Sequence, residues 1–360
     1  MKRIIGLILC ISAASQPAAA NSLLDWLNEH RPSQAQQQTQ PADSAQLLTL
    51  EPRQTEMYPR LSPNGRFLMT LSSKGKQAWI SRRYSENGDP ANPVSDDDRA
   101  LDSAGWLDDG HVYYLSERAG GLGLWEKISD GEAMQRRIQS LRGMITQPLL
   151  LPDQSIIAVR LKSARRSNNN DHRISKAGTK ESFNNWSFPG FQTEIVRFNS
   201  DGSEKVLSAG VNPALSPDGK WIAFSMATGR SMHLFRMHPD GSELIQLTDS
   251  RSEDVQPAWS RDGQWLLFTS NRSKPDLRHA DGGQWDIWRI GTNGRNLTQL
   301  TSDSARDGAP SMGLDGKVYF HSDRKISKEQ RARHQLNSGS VSGFHIWTIS
   351  APVESQSTTN

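Results

Sequence analysis

The chain has 360 residues, with 42 Lys and Arg against 39 Asp and Glu and a single cysteine, Cys10. Setting aside Lys2 and Arg3 leaves an excess of +1, so bulk charge names no partner and nucleic acid is not expected as one. One cysteine excludes a disulfide framework, and a chain this long builds its core without one.

The sequence begins with a basic start, an apolar stretch from Ile4 to Ala14, and small residues at Ala18 and Ala20. That is the pattern of a secretory leader over residues 1–20, cut before Asn21. Cys10 does not suit a lipid anchor, because Leu9 stands where that processing needs a small residue. No later apolar run approaches the length of a membrane span. Residues 21–45 read as an N-terminal peptide and linker. Ser22 with Asp25 resembles a capping box, and Leu23, Leu24, Trp26 and Leu27 flank a short helix ended near Pro32. The Gln-, Pro- and Ala-rich stretch beyond it is a flexible tether. Either this peptide is a frayed end whose leucines rest on the folded body, or Trp26 docks a partner.

From residue 46 the chain repeats itself. SPNG (62–65), LDDG (107–110), LPDQ (151–154), SPDG (216–219), SRDG (260–263) and GLDG (313–316) mark six copies. Where nothing is inserted the spacing is about 44 residues, the period of a four-stranded propeller blade. Ser-Pro-Asp-Gly suits a type I turn. It joins a strand A, carrying Pro59, Pro148, Pro213, Pro257 or Pro310, to an apolar strand B such as Trp221–Phe224. Strand C carries an aromatic in every copy: Trp79, Trp125, Phe198, Phe235, Trp288 and Trp347. Strand D ends in Leu-Thr, as in LIQLT (244–248) and LTQLT (297–301). The sixth copy lacks strand D, whereas AQLLTLE (45–51), ahead of the first copy, reads as one. Pairing the two ends closes a ring and removes exposed sheet edges. The expectation is an all-β fold, a six-bladed β-propeller over residues 46–349 with ring closure by an N-terminal strand, followed by a disordered tail (350–360).

The grammar SPDG, SNR, DIW, DG and LT, clearest in copies four and five, resembles the TolB-type propeller family, found in periplasmic TolB and in the propellers of prolyl-oligopeptidase-like enzymes. The likeness covers the propeller only. TolB carries an α/β domain ahead of its propeller, where this sequence has residues 21–45, and no hydrolase domain follows blade six. The resemblance therefore implies the fold more than the function. In TolB a short N-terminal segment also contacts partners, which supports the docking role for Trp26.

Repeated residues build the frame, so function is sought in what remains. Trp26, Trp186 and Trp285 fit no framework slot. Three insertions, 162–192, 273–284 and 325–343, all fall between strands B and C, and hence on one face of the ring. The first has six Lys and Arg against two acids and the third four against one. This basic face would steer acidic ligands. Its candidate contacts are Arg165, Arg166, Arg173, Trp186, Trp285, Arg331 and Arg333. Asn271-Arg272, Asp323-Arg324 and Glu117-Arg118 each follow a serine at the end of strand B, which suggests arginines bridging neighbouring blades or an arginine rim around the channel. GSVSG (339–343) has Val341 where a nucleophile elbow needs serine, and neither His-Glu-x-x-His nor a phosphate loop occurs. His172, His279 and His334 fall one in each insertion, but no spacing fixes them as metal ligands. No cofactor is called for. The reading is a periplasmic, non-enzymatic, monomeric module that binds a cell-envelope protein through its insertion-bearing face. The alternatives are a binder of acidic polysaccharide or lipopolysaccharide and a polyuronide lyase.

Overall fold

Each repeat carries a turn that stabilises itself. In SPDG the Ser216 hydroxyl donates to Asp218 Oδ1 (2.6 Å) and accepts from the Trp221 N–H (2.9 Å), while the Gly219 N–H closes onto the Ser216 carbonyl (2.9 Å). Ser260 and Ser62 accept from Trp265 (2.9 Å) and Phe67 (3.0 Å) in the same way. Gly219 and Gly263 sit at φ 72° and 70°, the left-handed region where a Cβ is penalised. In the third copy Gln154 adopts φ 67° instead, at a cost of about 1–2 kcal/mol.

The structure, a computed structural model, describes residues 43–351 apart from 76, 92–93, 95–103, 118–119, 129–134, 164–181, 277, 280–281 and 337–340. Strand β1 (Gln46–Leu47) precedes blade one, formed by β2 (Thr55–Leu61), β3 (Phe67–Lys74) and β4 (Gln77–Tyr84). Blade two is β5 (Gly105–Trp106), β6 (His111–Ser116), β7 (Gly123–Ile128) and β8 (Arg136–Ser140). Blade three is β9 (Met144–Leu150), β10 (Ile156–Ser163), β11 (Phe191–Phe198) and β12 (Glu204–Ala209). Blade four is β13 (Val211–Leu215), β14 (Ile222–Thr228), β15 (Ser231–Met237) and β16 (Ile245–Gln246). Blade five is β17 (Asp254–Trp259), β18 (Trp265–Pro275), β19 (Gly283–Gly291) and β20 (Thr298–Gln299). Blade six is β21 (Asp307–Met312), β22 (Lys317–Ser322) and β23 (His345–Ser350), with helix α1 (Lys328–Arg333) between the last two.

Every pairing within a blade is antiparallel, and β1 completes blade six on the outer side of β23, with Gln46 opposite Thr348 and Leu47 opposite Trp347. The apolar cores lie between blades. Met69, Ile80, Val112 and Tyr114 join blades one and two; Leu124, Ile145 and Val196 join two and three; Ile157, Ile195 and Phe224 join three and four. Ala223, Phe268 and Trp288 join four and five, Leu267, Phe320 and Trp347 join five and six, and Leu61, Leu68 and Ile346 join six to one. Six wedges filled around one axis make a closed six-bladed β-propeller.

Details differ from the sequence expectation. Among the described residues blade one has no strand D; the Ala91 and Val94 N–H groups bond the Arg82 and Ile80 carbonyls in its place (2.9 and 3.1 Å). In blade five the strands extend to Pro275 and start again at Gly283, so the 273–284 insertion shrinks to a short connection. The third insertion contains α1, capped by the reciprocal Ser327–Gln330 box. Arg272 and Arg324 tie strands of their own blade rather than neighbouring blades. Arg272 pairs with buried Asp254 at 2.6 Å and lies over the Phe268 and Trp288 rings at 5.1 and 5.2 Å. Arg324 pairs with Asp307 at 2.5 Å over Phe320 and Trp347. The strand-D threonines Thr248 and Thr301 supply the link from the preceding blade, by bonding those same aspartates. Arg118 lies outside the described residues.

Candidate functional site: the central channel

The innermost strands line the channel, and all but β5 of blade two bulge at the residue before a proline. Tyr58, Gln147, Asn212, Gln256 and Ala309 adopt φ between 49° and 55°, and the register of the flanking pairs slips there. The bulge turns a backbone N–H toward the axis, where the side chain from the blade before accepts it. Gln147 Oε1 accepts from the Asn212 N–H (2.6 Å), Asn212 Oδ1 from the Gln256 N–H (3.4 Å), and Gln256 Oε1 from the Ala309 N–H (2.8 Å). Ala309 has nothing to pass on. His321 Nδ1 takes over and accepts from the Tyr58 N–H at 3.1 Å. Burial pushes His321 down to about 3, so the imidazole is neutral and able to accept.

The two ends of the channel differ. At the insertion face it is filled by residues 182–188 of the blade-three insertion. Phe183 and Trp186 are 3% and 5% exposed. Phe183 is the centre of a ring cluster with Trp186 (5.4 Å), Trp285 (5.5 Å), Phe344 (5.6 Å) and His321 (5.7 Å). Between the aromatics Asn185 meets the relay. Its backbone carbonyl accepts from Gln147 Nε2 (2.8 Å), and its Oδ1 accepts from Asn212 Nδ2 (3.0 Å) and Gln256 Nε2 (2.9 Å). The Tyr58 hydroxyl donates to the Ser182 carbonyl.

At the opposite face, formed by the tight A–B turns, the channel opens into a cavity of about 310 Å³ lined by Arg60, Trp106, Tyr113, Trp259, Arg261 and prolines from the turns. The indoles of Trp106 and Trp259 donate to the Arg60 and Ala214 carbonyls (3.0 and 2.9 Å), which stands them along the wall. Where three of the six turns place proline, blade five has Arg261. Its guanidinium crosses the opening to the Ser62 carbonyl of blade one at 2.5 Å. Burial draws the group below its ordinary value, with Asp109 opposing. Leu314, 65% exposed, stands beside the rim against Gly65.

The structure thus separates the residues singled out by sequence. Trp186 and Trp285 are not surface anchors: Trp285 is 0% exposed, and both are spent inside the ring cluster that fills the channel. Arg331 is half-buried and Arg333 exposed on α1, which has no buried residue. Trp26, Arg165, Arg166, His172 and Arg173 lie outside the described residues. His279 pairs with Asp276 (3.0 Å), and among the described residues no group of three His, Cys, Asp or Glu could hold a metal ion. No described helix is long and apolar enough to cross a membrane. The turn-face residues Arg60, Arg261 and Leu314 were missed, although each departs from the repeat, Arg261 and Leu314 by replacing the turn proline.

Three solved structures are similar to this chain. TolB from Acinetobacter baumannii is 16% identical with a TM-score of 0.50, over 82% of this chain and 63% of that one. Calcium-binding regucalcin from Agrobacterium tumefaciens is 11% identical with a TM-score of 0.51, over 86% and 94%. An oligogalacturonate lyase from Vibrio parahaemolyticus is 10% identical with a TM-score of 0.47, over 87% and 96%. Such identities show the fold alone: the chain is a six-bladed β-propeller, with TolB propellers among its structural neighbours. No family model and no curated protein matches the sequence.

Proposed function

We propose that the protein is an exported, TolB-like propeller that binds a protein of the cell envelope at the turn-face mouth of its channel. The observation that carries this reading is the asymmetry of the channel. One end is filled by the chain's own residues 182–188, and the other presents two tryptophans, two arginines, several prolines and an exposed leucine around an open cavity. Aromatic residues and arginine at the centre of a concave surface are the usual anchors of a protein interface. Export rests on the leader pattern, and the mature chain begins at Asn21.

The test uses positions whose replacement spares the fold. Arg60→Glu with Leu314→Asp alters the mouth, and Arg331→Glu with Arg333→Glu alters α1 on the insertion face. Capture of partners from crosslinked envelopes should fall at least tenfold for the mouth pair and stay unchanged for the α1 pair, as expected when central contacts are lost. The reverse pattern would return the site to the basic insertion face. A glycan ligand is favoured if neither pair affects protein capture while Arg60→Glu abolishes retention on an acidic polysaccharide. N-terminal sequencing of the exported protein should read from Asn21, and an acylated Cys10 would overturn the leader assignment.

A further inference from the structure

The polar contacts that seat residues 182–188 are not alike. Asn185 meets amides, which neither gain nor lose protons at ordinary pH. Trp186 instead donates its indole N–H to the Glu253 carboxylate, at 3.1 Å. Glu253 stands at the start of blade five, where its N–H is held by Asn271 Oδ1 of β18 (2.8 Å), and no described cation is placed against it. The charged and titratable groups around it are committed elsewhere. Asp254 is engaged by Arg272 and Ser270 (both 2.6 Å). His233 of β15 is pushed below its ordinary value by burial, with Asp254, Asp249 and Arg272 in its field. Arg306, over Phe183 at 5.4 Å, is paired with Asp323 at 2.9 Å.

We propose that residues 182–188 are a proton-controlled stopper: they close the insertion-face end of the channel while Glu253 is uncharged, and their hold weakens when Glu253 ionises. Seated, Trp186 lies against a half-buried carboxyl that has no described cation beside it. Displacement of the segment opens it further to water. Burial pushes Glu253 up to about 7 from 4.5, with the Trp186 N–H opposing and Asp254 adding to the rise. The seated form therefore binds the proton more tightly than the released form. Seating is strongest below about 4.5 and is lost progressively as pH rises through about 7, by up to about 300-fold in its equilibrium constant. Release would bare the Gln147, Asn212 and Gln256 amides and convert a blind channel into a through-passage.

Hydrogen exchange of the 182–190 peptide, corrected for the intrinsic effect of pH on amide chemistry, tests this in the full-length folded protein. From pH 5.5 to 8.5 its protection should fall at least tenfold more than that of peptides from β3. In Glu253→Gln the additional fall should vanish. Asp286, also pushed up to about 7 by burial, supplies the control: Asp286→Asn should keep the wild-type response. An unchanged peptide in the wild type, or the same fall in Glu253→Gln, overturns the proposal. If Glu253→Gln does not fold, carboxyl NMR of the wild type decides instead, since the proposal requires one glutamate titrating near 7.

Discussion

Five residues before prolines hold a left-handed backbone that non-glycine residues avoid, at about 1–3 kcal/mol each. The arrangement persists because every turned N–H whose partner has been named is accepted by a neighbouring blade. Gln147→Leu preserves the volume but removes the acceptor of the Asn212 N–H and a donor to Asn185. Leaving a buried donor unmade costs about 1–3 kcal/mol, and urea unfolding should report that loss without a change in overall shape. Asp286 makes a second residue-scale case. It is 0% exposed, Ser273 and Gln299 donate to it at 2.8 and 3.1 Å, and burial pushes its carboxyl up to about 7, with Asp307 adding to the rise and Ser273, Gln284 and Arg324 opposing. A folded value above the unfolded one makes the contribution complete below about 4 and lost as pH rises through about 7. Asp286→Asn should therefore narrow the difference in urea stability between pH 5 and pH 8, by up to about 2.5 kcal/mol. An unchanged difference would show that Asp286 is ionised throughout.

The two-residue strand β1 has consequences out of proportion to its length. Its pairing with β23, the Leu48 N–H on the Ile346 carbonyl (2.8 Å) and the Asp43–Arg324 pair (2.5 Å) fasten the start of the chain to its end. Burial would raise the Asp43 carboxyl, but Arg324 outweighs it and holds the group below its usual range. Deleting residues 46–50 should lower the melting temperature and expose an edge that aggregates. Deleting 22–40 should do neither. Elements of this kind were legible in the sequence, because turn, strand and closing residues recur at fixed spacing and depend on local chemistry. The closing strand was visible as a Leu-Thr phrase displaced to the wrong end. The stopper was not visible: Trp186 broke the repeat in the way an interface residue would, and only the fold brings Phe183 and Trp186 against Trp285, a hundred residues later, and Phe344. The relay was equally hidden. The prolines were periodic, but the Tyr, Gln, Asn, Gln and Ala before them share no chemistry until the bulge turns their amides toward one axis.

For the molecule as a whole, six filled wedges around one axis couple every blade to two neighbours. Calorimetry of the intact chain should show one cooperative transition, whereas loss of residues 46–50 should divide it into steps, as in an open repeat array. A single transition in both would mean that the wedges suffice without the closing strand. Closure also constrains the order of events during synthesis. Leu47 is among the first residues of the propeller to be made, and its partner Trp347 is among the last. Until then blades one to five can pack in sequence, but the β1 segment has nothing to pair with and blade six has no outer strand. The final joining is a contact across 300 residues, the kind that forms slowly and leaves unfinished chains prone to association. The protein must therefore stay soluble through a period in which its fold is nearly complete yet unlocked.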